Sequence, residues 1–262
     1  MDVSNSEPKL LILTKSENES VKKVPFDSGP KVVVFFIGGA GDARPFLGTG
    51  PHHNIQVAKD FFDKKFDLEI KKNLVRSVYL GYFDVFGGWR IKNLVKKTIP
   101  NGNVKIYIVG HSLGGWNGAH FSQKLSDVGL DVEVLITLDP VGEDCNLKLF
   151  ADIYPNMPQP VAKYWVNLRY EQSYIGIAYD NIKKGSPGEI MGDISPNLVA
   201  DLGHKWFVGL RLDGNNIKRM PNINETIDVN HAYTLTALKY ELKDKVTAWN
   251  ILEQNIRSVL GE

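Results

Sequence analysis

VKIYIVGHSLGGWNGAHF, residues 104–121, is the stretch on which the reading of the whole chain turns. Val104, Ile106, Ile108 and Val109 form an apolar, β-branched run, the composition of a buried strand. The run passes through Gly110-His111-Ser112-Leu113-Gly114-Gly115 and predicts a helix from residue 113 to about residue 125. Glycines on either side of Ser112 let strand give way to helix within a few ångströms. Such a turn strains the backbone at the serine and puts its hydroxyl at the tip. The Leu113 N–H then lies at a helix start, where it can donate to developing negative charge. The plainer alternative is a Gly-rich turn in which Ser112 only caps the helix. Strand before, helix after and the full GHSLGG string favour a nucleophile.

Upstream, KVVVFFI at 31–37 is a continuous apolar run, as expected of a strand covered on both faces in a parallel sheet. It ends in Gly38-Gly39-Ala40-Gly41-Asp42, at the end of the strand where open α/β sheets bind ligands. Gly39 or Ala40 is the candidate second backbone donor to an oxyanion, against the simpler reading of a tight turn needing positive φ. Ile55, Ala58, Phe61, Phe62 and Phe66 recur at helical spacing and predict a helix over 54–66. A strand follows at 75–82, then a helix at 89–98 stopped before Pro100. Strands at 132–138 and 163–170 come after the central motif. Strands alternating with helices give the α/β class: one domain with a mostly parallel central sheet and helices on both faces. A short strand at 9–14 and a long helical pattern at 230–257, capped near Asn230, complete the expectation. Residues 171–226 read as loop, with short strands at 174–179 and 206–212, and are long enough to form a lid.

At 262 residues the chain suits one large domain, and 43% hydrophobic with 23% charged residues is ordinary for a soluble globular protein. Lys and Arg number 31 against 30 Asp and Glu, a balance that argues against nucleic acid as a partner. Cys145 is the single cysteine, so no intrachain disulfide forms. The start, MDVSNSEPKLLILTKSENES, lacks a basic region before its short apolar run, and no apolar stretch approaches the roughly 18 residues that span a bilayer. The expected location is the cytoplasm, or outside the cell by a route without a cleaved signal. A P-loop, a dinucleotide fingerprint and paired cysteines are absent, and no histidine has metal-ligand spacing, so no cofactor and no metal are expected.

A serine hydroxyl needs a base to remove its proton, and the base needs a carboxylate to fix its tautomer. Asp139 is the first polar residue past the strand at 132–138. Its bland reading is a turn former in Asp-Pro. Asp144, Glu171, Asp180 and Asp193 lie in later loops, with Asp180 the main rival. Two histidines follow Asp139. His231 opens the terminal helical pattern after all the strands, where a loop can reach over the sheet edge to the serine; His204 is the alternative, otherwise pocket-lining or structural. His111 is expected to pack beside this machinery, and His52, His53 and His120 carry no signal.

GHSLGG after a β-run, LDPVG after the next strand and a late NHAYTL resemble the α/β-hydrolase superfamily, and within it the lipases. The acid in LDP is similar in placement to that of the pancreatic-lipase branch. The Gly-Gly-Ala-Gly-Asp loop, without a signal peptide, resembles bacterial lipase-like proteins, including phospholipase effectors delivered by type VI secretion. The resemblance spans about residues 31–257. It departs from the pancreatic branch, whose members are larger, disulfide-rich and carry a lipid-binding β-domain. What the resemblance implies is carboxylic ester hydrolysis through an acyl-enzyme on Ser112, with Asp139 and His231 completing the set and Leu113 with Gly39 or Ala40 holding the oxyanion. The substrate expected is a small-molecule or lipid ester, met with at most transient contact to a membrane surface. Phe46, Leu47, Phe83, Val85, Phe86 and Trp89 lie in loops near strand ends that would line an apolar pocket, or else pack in the core. An acyltransferase or thioesterase would use the same residues, and a non-catalytic interaction protein of this fold would have a broken set.

Overall fold

The computed structural model describes residues 29–46, 50–100, 102–143, 151–171, 200, 205–206, 208 and 220–262. Strands β1 (Val32–Gly38), β2 (Val75–Gly81), β3 (Lys105–His111), β4 (Val132–Leu138), β5 (Tyr164–Tyr170) and β6 (Ile223–Ile227) form one sheet in the order β2-β1-β3-β4-β5-β6. Every pairing is parallel, from Ile37 opposite Gly110 to His111 opposite Leu138. Helices α1 (Asn54–Lys65), α2 (Asp67–Lys71), α3 (Gly88–Thr98), α4 (Leu113–Ser126), α5 (Thr234–Leu238) and α6 (Ala248–Leu260) connect or follow the strands.

Successive strand side chains feed two separate cores, which is why the strands read as unbroken apolar runs. Val33, Phe35, Ile37, Ile106 and Ile108 pack with Ala119, Phe121 and Leu125 of α4. Val32, Val34, Phe36, Tyr107 and Val109 pack on the other face with Phe62 of α1 and Trp249 and Leu252 of α6. β1 sits between β2 and β3, so the chain leaves β1 toward one side of the sheet and returns as β3 on the other. Such a reversal opens a crevice beyond the carboxyl ends of the two strands. Gly39 follows one of them and Ser112 the other.

Two expectations are corrected. The single helix over 230–257 is two helices, α5 and α6, because the chain turns at Lys245 (φ 57°) and restarts at Thr247, whose hydroxyl accepts from the Asn250 N–H at 3.0 Å. Residues 171–226, read as loop, contain most of β6, an edge strand whose buried residues are Ile223 and Ile227. The mostly parallel sheet is wholly parallel among the described strands. The expected strands at 9–14 and 174–179, and most of 206–212, lie outside the described residues, as does most of the expected lid. Among the described residues no helix is long and apolar enough to cross a membrane.

Candidate active site

Ser112 stands between β3 and α4 with φ 56° and ψ −128°, a conformation that L side chains rarely adopt. The strain persists because the peptide groups on both sides of it are held. Its N–H donates to Leu138 O at 3.0 Å, and its carbonyl accepts from Gly115, Trp116 and Val141 at 2.9, 3.2 and 3.1 Å. The turn closes tightly enough that a Cβ on Gly110 would lie 2.4 Å from the Gly114 carbonyl oxygen. Leu113 opens α4, and its N–H has no backbone acceptor among the described residues.

Asp139 follows β4, fully buried, at φ 42°. Its own N–H donates to Leu168 O of β5 at 2.7 Å. Carboxylate Oδ1 accepts from the Tyr170 N–H at 2.9 Å, while Oδ2 faces His231 Nδ1 at 2.6 Å and Lys205 Nζ at 3.4 Å. Burial alone would push this carboxyl up. The hydrogen bond and charge of His231, the Lys205 ammonium and the Tyr170 N–H outweigh it and hold the group below the usual range. An ionised Asp139 makes Nδ1 the protonated nitrogen of His231, leaving Nε2 as the basic one.

His231 lies in the loop between β6 and α5, buried, in a bend closed by Tyr233 N–H to Asn230 O at 2.9 Å. His111 Nε2–H donates to the His231 carbonyl at 2.6 Å, and the two rings lie 4.5 Å apart. The residue preceding Ser112 thus touches His231, and Leu138, which accepts from the Ser112 N–H, precedes Asp139. Asp139 and His231 are in direct contact, and Ser112 is joined to them through its neighbour His111 and through Leu138, all at the carboxyl end of the sheet. Asp180 and His204, the alternatives, lie outside the described residues, as do Asp144 and Asp193. Glu171 is exposed and paired with Arg169.

Gly39 runs against the serine: a Cβ there would fall 2.5 Å from Ser112 Cβ and 2.9 Å from its Oγ. Sequence reasoning passed over the residue that folds this loop. Asp42 is buried, with Oδ2 accepting from the Ile55 N–H at 3.1 Å and Oδ1 from the Tyr79 hydroxyl at 3.2 Å. It ties residues 39–42 to the first turn of α1. Burial pushes its carboxyl up, more than these hydrogen bonds pull it down. An acid closing a glycine cluster ahead of a helix was the available signal.

The expected pocket residues divide. Val85 is core, and Phe83 packs against the same cluster under the Arg44 guanidinium, 4.1 Å from its ring. Phe86 meets Tyr154 edge-on at 5.0 Å, Phe46 is half-buried, and Trp89 is 76% exposed. Leu47 is outside the described residues. Among the described residues no group of three or more His, Cys, Asp or Glu side chains is placed to hold a metal ion.

Two buried histidines set an expected acid limit to stability. Burial and the neighbouring His231 push His111 down to about 3, and burial pushes His120 down to about 4 although its Nε2–H donates to Asn156 O. Unfolded histidine titrates near about 6.5, so between that value and the folded ones the unfolded chain binds more protons and stability falls on acidification. The expected loss is about 1.4 kcal/mol per pH unit for each histidine. Denaturant unfolding across this range checks it: His120→Gln, which keeps a donor for Asn156, flattens the slope by one histidine's share, and an unchanged slope removes His120 from the account.

No family model matches the chain, and no curated protein matches it either.

Proposed function

We propose that the chain is a serine hydrolase of α/β-hydrolase fold that cleaves carboxylic esters, acyl lipids among them, through an acyl-enzyme on Ser112. The observation that carries this reading is the 2.6 Å pair of His231 Nδ1 and buried Asp139, beside a serine held in a strained strand-to-helix turn. A nucleophile after β3, an acid after β4 and a base after β6 follow the order that this fold uses.

In the proposed reaction His231 Nε2 takes the Ser112 hydroxyl proton as Oγ bonds to the ester carbonyl carbon. The carbonyl oxygen becomes an oxyanion, met by the Leu113 N–H and an N–H at Gly39 or Ala40. Asp139 stabilises the imidazolium. Collapse breaks the bond to the alcohol oxygen, which leaves with the proton from His231. Water, deprotonated by the same nitrogen, then releases the carboxylic acid and restores the serine. An acyl chain as the substrate's apolar part is supported by exposed Trp89, which follows the carboxyl end of β2.

A fluorophosphonate probe tests the reading directly. Wild type labels, Ser112→Ala and His231→Ala do not, and His204→Ala does. Silence of the wild type both with and without detergent would remove the activated serine and the proposal with it. Labelled protein is then offered short and long esters, a thioester and phosphatidylcholine vesicles to rank substrates.

A further inference from the structure

Lysine is almost never buried unless it is paired. Lys205 is buried, and two of its contacts concern the acid of the site: Nζ donates to Tyr170 O at 2.8 Å and lies 3.4 Å from Asp139 Oδ2. Tyr170 grips both partners, since its N–H donates to Asp139 Oδ1 at 2.9 Å. The segment carrying Lys205 is fixed beside the chain that leaves Asp139. Lys205 bridges Val141 in antiparallel fashion, and Trp206 N–H donates to Pro140 O at 2.7 Å. The indole of Trp206 is anchored between those of Trp116, 5.6 Å away, and Trp165, 5.5 Å away. These contacts of Lys205 and Trp206 hold the lysine beside the carboxylate.

We infer that Lys205 is a positioning residue for the proposed hydrolase, a buried cation that fixes the Asp139 carboxylate toward His231 and offsets part of its charge. The inference rests on the ester-hydrolase reading. Around the carboxylate, Tyr170 N–H donates to Oδ1 and His231 Nδ1–H to Oδ2, while the lysine ammonium stands 3.4 Å from Oδ2 as an ion pair. It also changes the electrostatics of proton transfer. A carboxylate beside an imidazole favours the imidazolium, and a cation near the same oxygen weakens that preference. Among the described residues, His111 and Tyr170 are titratable groups whose rings lie 4.5 Å and 6.4 Å from that of His231. Burial holds His111 neutral and pushes the Tyr170 hydroxyl well up, so neither supplies the charge that Lys205 does.

The test compares Lys205→Gln, which keeps a donor for Tyr170 O but no charge, with Lys205→Arg, which keeps the charge. The acid limb of kcat/KM for a short p-nitrophenyl ester moves up by about one pH unit in Lys205→Gln and stays in place in Lys205→Arg. Lys205→Met is the second neutral variant should the first not fold. Proton NMR of the His231 imidazole in the same variants shows the same displacement and needs no turnover. Failure of the hydrolase reading, seen as an unlabelled wild type, is therefore distinguishable from failure of the inference. If the neutral variants lose thermal stability but keep the wild-type limb and imidazole titration, Lys205 is only a tether for its segment and the inference is overturned.

Discussion

On the proposed ester-hydrolase reading, His231→Ala is expected to lower kcat on a short ester by about 10⁶-fold and Asp139→Asn by about 10⁴-fold, with both proteins folded. The two figures differ because the residues do different work. Without the imidazole nothing accepts the Ser112 proton, and what remains is binding and the oxyanion donors. In Asp139→Asn the imidazole is still present but is held wrongly. The 2.6 Å contact at Nδ1 favours the tautomer with its proton there because the partner is an ionised oxygen. An amide turned to give its NH₂ group to Nδ1 holds the proton on Nε2 instead, and the base then faces the serine as a donor. The pair acts as a unit, so the double variant is no slower than His231→Ala alone. Steady-state rates paired with thermal unfolding decide the matter. An Asp139→Asn enzyme within about tenfold of wild type would make the Asp139–His231 contact structural and would send the search for the acid back to the loops after β4 and β5.

The parts of this protein legible in the sequence are those whose cause is local. β1, β3 and β4 are buried on both faces, so each announces itself as an apolar run within two residues of its observed bounds. Ser112 is legible for a related reason: its turn needs glycine at fixed offsets whatever the rest of the chain does. β6 was not legible because an edge strand of five residues needs only Ile223 and Ile227 inward, and Asn224 and Glu225 between them break the strand signal. The break between α5 and α6 was hidden because Tyr240 and Leu242 continue an apolar rhythm through it. Lys205 was illegible in principle. Its meaning lies in a bridge to Val141 and a carbonyl of β5, contacts that no spacing along the chain encodes.

Gly39→Ala and Gly114→Ala separate the two things that glycines do at this sheet edge. A Cβ on Gly114 would sit 2.2 Å from the Ile37 carbonyl oxygen and 2.8 Å from that of Gly38. Those atoms belong to β1, which is paired on both sides by β2 and β3 and cannot retreat, so α4 must move off the sheet. The expected cost is about 3 kcal/mol or more of stability, read by denaturant unfolding or as failure to accumulate folded protein. At Gly39 the same methyl meets Ser112 Cβ at 2.5 Å, Ser112 Oγ at 2.9 Å and His111 O at 3.1 Å. Ser112 Cβ is fixed by its own backbone and His111 O by β3, so the yielding partner is the loop. The fold survives, and relief comes from backing residues 39–40 away from the serine. On the proposed reading that movement withdraws the second N–H from a substrate carbonyl, for which loss of one oxyanion donor gives the scale: about 10²–10³-fold in kcat. Wild-type turnover in folded Gly39→Ala would mean that this loop contributes no donor and that Leu113 holds the oxyanion with some other group. A fall in kcat at nearly constant stability, beside the opposite outcome at Gly114, would tie the close approach of Gly39 to the chemistry and leave that of Gly114 to the architecture beneath it.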